Sequence, residues 1–215
     1  MKTFSLYTHY KKILADTLTP VSIYLKIRDK FPNSILLESS DYHANDNSFS
    51  YICCNPIATI KVLDNKITQT FPDGTVFKNN INKNTQVPEV IHKFSKRFKV
   101  QSEENFKFIN NGIFGYMAYD AVRYFEDVDI SKKEGHLRIP DMYYAVYQNI
   151  IAINHFKNEA YIFAHCFNAE NNIDDILQLI KSKNFAAFAF AKQGKTTSNL
   201  TDEEYKQQVN LAKKH

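Results

Sequence analysis

Three cysteines and seven histidines are the side chains of this sequence whose types could ligate a metal or act as nucleophiles. Cys53 and Cys54 are neighbours, and Cys166 stands far from both. Neighbours on a strand point to opposite faces, an odd total leaves one thiol unpaired, and no C-x-x-C occurs. These spacings predict reduced, buried, structural cysteines and a cytoplasmic protein. No H-x-x-x-H pair occurs, and His165 adjoins Cys166 in a way that sends the two side chains to opposite sides of a strand. A lone histidine is far more often a core or surface residue than a ligand, so no metal site is expected. Phosphate-binding loops are missing too. Gly194-Lys195-Thr196 lacks the upstream glycine and strand that such a loop needs, and reads as linker. No G-x-S-x-G elbow is present.

Composition narrows the remaining classes. The chain has 215 residues, 44% hydrophobic and 23% charged, enough to bury about 70% of the surface its unfolded form exposes. Thirteen Tyr and seventeen Phe make the core aromatic, while Trp is absent. The net charge of +4 is spread among acids, as in Lys26-Ile27-Arg28-Asp29-Lys30, so no cationic stripe forms and nucleic-acid binding is not expected. Gly112–Tyr119 superficially has the aromatic spacing of an RNA-binding strand, but Gly112 and Ile113 stand where a cation and a glycine are needed. Gly115 instead reads as a site of close backbone approach. No apolar run approaches about 18 residues, so no membrane span is expected.

The elements that would position any site follow from periodicity. Phe4–Ala15 reads as a helix. Thr19-Pro20 caps a second helix over Val21–Phe31, stopped by Pro32-Asn33. Ser34–Ser39 is a short apolar strand with a polar exit. Phe49–Cys54 is a strand, turned at Asn55-Pro56. Thr59–Leu63, Lys66–Phe71 and Thr75–Lys78 form a meander. Val87–Phe98 has helical spacing, and Gly112–Tyr119 is a strand followed by a helical turn. Tyr143–Phe156 and Glu159–Phe167 form a hairpin, and Asp174–Lys183 is an amphipathic helix. Gln193–Asn199 is linker-like, and Thr201 with Glu204 forms a capping box. This pattern predicts an α+β fold, with antiparallel β-sheets in a sandwich-like arrangement and flanking helices.

Seven short motifs lie in register along nearly the whole chain. They begin with Thr19-Pro20-Val21-Ser22-Ile23-Tyr24 and Ile35-Leu36-Leu37-Glu38-Ser39-Ser40, then Phe49-Ser50-Tyr51-Ile52 with Asn55-Pro56. Next are Gly112–Tyr116, Tyr119–Arg123, Pro140–Tyr143, and finally Ser198–Thr201 with Glu204-Tyr205. Together they resemble the amino-terminal region of anthranilate synthase component I. The related component of aminodeoxychorismate synthase shares fold and motifs, but T-P-V-S-I-Y with L-L-E-S-S favours anthranilate synthase. A stand-alone small-molecule-binding module is the alternative from another class, and an open reading frame beyond codon 215 would discriminate.

The resemblance implies a lyase that makes anthranilate and pyruvate in tryptophan biosynthesis, from chorismate and ammonia that a partner glutamine amidotransferase draws from glutamine. It implies Mg²⁺ in the full enzyme, with the metal and chorismate ligands in the carboxy-terminal half. Residues 1–192 would be the regulatory domain. Residues 193–215 would be the linker and first helix of the chorismate-binding domain, so no catalytic residue and no bound cofactor is expected in this chain. By the same resemblance, the L-L-E-S strand carries allosteric feedback inhibition by L-tryptophan. Ser39 would line the pocket with Leu37, Glu38 and Ser50, and Glu38 would either meet the ligand ammonium or cap the adjacent loop. Many relatives carry a basic residue before the aromatic-serine pair, where this chain has Asn47-Ser48 ahead of Phe49-Ser50. On this reading, the purified chain mixed with chorismate, Mg²⁺ and ammonium should yield no anthranilate fluorescence. Fluorescence above a blank would overturn it.

Overall fold

The structure is a computed structural model and describes residues 2–38, 48–128, 130, 138–183 and 189–214. Chain contacts divide it into two units, Met1–Phe185 and Ala186–His215.

The first unit is built on one mixed sheet. Its strands are β1 (Phe4–Leu14), β2 (Ile35–Glu38), β3 (Phe49–Leu63), β4 (Lys66–Thr70), β5 (Val76–Asn80), β6 (Phe98–Gln101), β7 (Phe114–Met117), β8 (Met142–Asn154) and β9 (Glu159–Cys166). They run in the order β5-β4-β3-β8-β9-β1-β6, with β2 added to β3 and β7 added to β8. Every pairing is antiparallel except β1 with β6. The expected α+β class holds, but with one mixed sheet in place of a sandwich of antiparallel sheets.

Three local expectations are corrected. Phe4–Ala15 is a strand, not a helix. Its buried Phe4 and Leu6 alternate with more exposed neighbours at period two, and β9 and β6 supply partners on both edges. Long-range pairing overrides the weak local helical pattern here. The predicted turn at Asn55-Pro56 is instead an irregularity inside one fifteen-residue strand. Asn55 takes a left-handed φ of 58°, and the register with β8 shifts between Pro56 and Ala58. A bulge is where a strand tolerates a residue without an N–H. The helix expected over Val87–Phe98 stops at Ser95, and Phe98 begins β6. Phe98 then stacks on Phe4 (5.7 Å between ring centres) and on Phe71 (6.3 Å).

Helices α1 (Pro20–Arg28) and α3 (Ile173–Lys181) cover part of one sheet face, and α2 (Val87–Ser95) covers another part through Val87 and Phe94. The Ser22 N–H donates to Thr19 Oγ1 at 3.1 Å, closing the cap that Thr19-Pro20 announces. Ile23 and Ile27 of α1 pack with Ile176, Leu177 and Ile180 of α3 over Ile52, Ile151, Ile153 and Ile162. Each such side chain contributes about 1.5–3 kcal/mol on burial. In the second unit, α4 (Asp202–Ala212) carries the expected Thr201–Glu204 capping box and buries none of its residues.

The cysteines are unpaired and buried, and Cys53 and Cys54 enter different cores on opposite faces of β3. Burial pushes the Cys54 thiol up to about 12, so it is protonated at neutral pH.

Gly115 answers the expectation of close backbone approach. A Cβ built there would overlap the Tyr143 carbonyl of β8, the strand that β7 joins. Gly115→Ala must push β7 off β8 and should lower stability by about 1–3 kcal/mol. Urea denaturation measures this, and an unchanged midpoint would refute the close approach.

Candidate functional site

Of the pocket residues that the resemblance implies, Leu37, Glu38 and Ser50 fall at one end of the sheet. β2 pairs with β3 in the register Leu36↔Ile52, Leu37↔Tyr51 and Glu38↔Ser50. Directly opposed residues share a face, so Glu38 and Ser50 project to the α1–α3 side and Leu37 and Tyr51 to the other. The register of Ile35 with Cys53 in the aromatic core, and of Leu36 with Ile52 in the helix-covered core, fixes those directions. Leu37 is 37% exposed although apolar, and Glu38 is exposed. Ser39 lies outside the described residues.

Ser50 is buried, and its Oγ lies 2.7 Å from Nε2 of His155 in the β8–β9 turn. The His155 N–H also donates to the Ser48 carbonyl at 3.0 Å, so the turn is fastened to the start of β3 twice. Within the turn the Lys157 N–H donates to Asn154 Oδ1 at 2.9 Å. On the opposite face Phe49 stacks on Phe108 at 4.8 Å and on Tyr51 at 6.0 Å. Burial raises the Tyr51 phenol above its ordinary value, which keeps it neutral. The structure thus brings Glu38 and Ser50 onto one face with His155 beside Ser50, and puts Leu37 on the other face. Sequence reasoning placed His155 in a hairpin turn but had no signal linking it to a serine 105 residues away.

Two clefts lie elsewhere. A cavity of about 80 Å³ is lined by Leu6, Val100, Ile113 and Ile150, with His165 at its wall. A wider groove of about 490 Å³ runs beside Tyr7, His9, Gln101 and Glu103. Neither includes Leu37, Glu38 or Ser50. Among the described residues no three His, Cys, Asp or Glu side chains come together as a metal would require, so no step through Mg²⁺ is derived from this chain. No helix among them is long and apolar enough to cross a membrane.

Comparison with known proteins places the chain in a family. Residues 34–215 match the family described as chorismate binding enzyme. The chain belongs to that family. Anthranilate synthase component 1 of Lactococcus lactis is 27% identical over 94% of this chain, and the chain spans 44% of that relative's length. Aminodeoxychorismate synthase component 1 of Bacillus subtilis is 24% identical over 70% of the chain and 30% of its own length. Among solved structures, anthranilate synthase component I of Streptococcus pneumoniae aligns with a TM-score of 0.55 over 95% of this chain and 45% of its own, at 17% identity. That last likeness concerns the fold. The chain therefore spans less than half the length of these relatives.

In this chorismate-binding-family chain, two further polar constellations explain residues singled out in the sequence without a role. Arg123 Nη2 donates to Asp141 Oδ2 at 2.7 Å, and Tyr124 Oη donates to the same oxygen at 2.9 Å. They fasten the short 3-10 helix Tyr119–Tyr124 to the residue before β8. Burial, then the bond to Asp141, raises the Tyr124 phenol.

His165 is the second. It is 1% exposed, lies parallel to the Phe163 ring, and places Nδ1 2.9 Å from Thr8 Oγ1 and Nε2 2.8 Å from the Asn110 carbonyl. Burial lowers its pKa, and the Asn110 carbonyl only partly offsets this. A histidine held neutral in the native state takes up its proton more readily when unfolded. Its contribution is present above the ordinary value near 6.5 and is lost as pH falls below it, towards the depressed native value. The paired carboxylates act in a lower window. Asp73 is held to about 2 by Lys2 and Thr75, and Glu159 is lowered by Lys12. The melting temperature should therefore fall between about pH 7 and 5.5, ahead of any carboxylate effect. In His165→Asn that early decline should flatten, and an identical pH profile would refute the assignment.

Proposed function

We propose that this chain is the tryptophan-sensing, amino-terminal part of an anthranilate synthase component I, a cytoplasmic lyase of tryptophan biosynthesis. The observation that carries the reading is the β2–β3 register. It sets Glu38 opposite the buried Ser50 and Leu37 opposite Tyr51, at an edge where β2 has no further partner among the described residues. Such an edge offers backbone donors and acceptors beside a carboxylate for an ammonium on one face, while an exposed leucine and stacked aromatics lie on the other. In this reading L-tryptophan contacts Leu37, Glu38 and Ser39. Ser50, whose hydroxyl is engaged by His155, sets the spacing of the two strands.

The fuller coverage of the Lactococcus relative supports anthranilate synthase over aminodeoxychorismate synthase. Conversion of chorismate with Mg²⁺, and ammonia supplied by a glutamine amidotransferase subunit, belong to the whole enzyme in this proposal. The residues of this chain supply the inhibitor site. Allosteric inhibition requires that tryptophan favour one of two states, so a change confined to the inhibitor site leaves the uninhibited equilibrium intact.

The test uses an enzyme that carries this chain. Ser39→Phe fills the space an indole amino acid would occupy, and a packed site does not relax around several extra atoms. Tryptophan inhibition should disappear while uninhibited turnover persists. Ser39→Ala removes at most one hydrogen bond, about 0.5–1.5 kcal/mol, and should raise the inhibitory concentration by no more than roughly tenfold. Inhibition of the phenylalanine variant at the wild-type tryptophan concentration would defeat the proposal.

A further inference from the structure

We propose that the cavity of about 80 Å³ beside His165 is a binding site for a small, uncharged, apolar molecule, with residues 110–113 as its lid. It is separate from the β2–β3 edge, since Leu37, Glu38 and Ser50 do not line it. Its wall is Leu6 of β1, Phe98 and Val100 of β6, Val146 and Ile150 of β8, and Ile113. Leu6 and Val146, with Phe98, Val100 and Ile113 packed on them, belong to the core of Phe4, Phe71 and Phe94. Ile150 belongs to the aromatic core, so the cavity lies at the seam of the two. The β3–β8 ladder accounts for this position. Its register shifts between Pro56 and Ala58, opposite Tyr147 and Val146, and both of these line the cavity. A bulge bends a strand and raises its local twist, which keeps the layers on either side of it from packing as one.

The chemistry of the wall selects the ligand. No Lys, Arg, Asp or Glu lines it, which leaves an ion without a partner. The polar side chains present are already engaged. Ser95 Oγ donates to the His92 carbonyl at 2.9 Å, and Tyr147 Oη to the Asn33 carbonyl at 3.0 Å. Thr8 and the Asn110 carbonyl occupy the two ring nitrogens of His165. No buried side-chain nitrogen or oxygen among the described residues lacks a partner. Buried water is held by roughly two to four otherwise unsatisfied polar groups, and the buried side chains supply none. An apolar guest needs none and gains dispersion contacts along the aliphatic wall. A cavity of about 150 Å³ with such a lining takes up benzene or xenon, so one of about half that size suits xenon or a hydrocarbon of about three carbons. The mouth lies at Asn111 and Gly112, which are exposed. Gly112 has a φ of 132°, a backbone that glycine adopts readily, and the bond from Asn110 to His165 latches this segment over the cavity.

The experiment follows the methyl signals of the 215-residue chain by NMR under rising pressures of xenon and of cyclopropane. Methyls of Leu6, Val100, Ile113, Val146 and Ile150 should shift and saturate with both gases. Those of Ile23, Ile27 and Ile176, in the helix-covered core, should stay in place. Methanol, small but polar, should give no saturable shift. Val100→Ile and Val146→Ile each lengthen a wall side chain by one carbon. Each should weaken xenon binding and raise the melting temperature, and the two together should abolish the saturable shifts. If one substitution unfolds the chain, the other carries the comparison. Shifts that grow without saturating in every core, or that saturate equally in wild type and variants, would overturn the site. Nuclear Overhauser contacts between a bound water and the methyls of Leu6 or Ile150 would overturn its apolar character, and the proposal with it.

Discussion

The ladder between β3 and β8 is the interaction on which the rest of the fold depends. It runs from Phe49↔Asn154 to Val62↔Met142, nearly the full length of β3 and the full length of β8. Every other strand of the sheet is reached through one of these two. β2 and β4 add to the far edge of β3, while β7 and β9 share the far edge of β8. Since a one-residue slip would send each buried side chain to the wrong face, the register here determines all three cores at once.

The irregularity at Asn55–Ala58 divides the ladder into two regimes. Ahead of it, Ile52 and Cys54 face the helix-covered core; beyond it, Ala58, Ile60 and Val62 face the core built from Phe4, Phe71 and Phe94. β8 makes the matching change, sending Ala145 and Tyr147, then Ile150 and Ala152, into the aromatic core. Asn accepts the left-handed backbone at position 55 with little cost, and its amide donates to Gln148 Oε1 at the same point of β8. One sheet can thereby serve two helical layers.

The candidate site is a by-product of this geometry. β2 is four residues long and occupies only the first part of the β3 edge, and among the described residues its own outer edge has no partner strand. The β8–β9 turn must return at the same level, because β3 begins opposite Asn154. A serine at the second position of β3 is then enclosed between the strand it faces and a histidine at the head of the turn. Their hydrogen bond ties the start of β3 to the β8–β9 turn at that end of the ladder.

Much of this was legible in the residues. The β8–β9 hairpin, the meander of β4 and β5, the Thr19 and Thr201 caps and the tight approach at Gly115 all rest on contacts local in sequence or on a residue type with one conformational use. The α+β class followed from them. Also legible was the grouping of Leu37, Glu38 and Ser50, through motifs that resemble a family. The strand at Phe4–Leu14, the continuity of β3 through Pro56, and β6 were not legible, because each is decided by partners 80 or more residues away in the chain. The same holds for His155 beside Ser50 and for His165 between Thr8 and Asn110. A side chain's hydrogen-bonding partner across a sheet depends on register, and register is a property of the whole ladder. The sequence by itself determined which segments are apolar, capped or turned; the tertiary structure alone decided which faces meet, because burial is satisfied by the sheet as a unit.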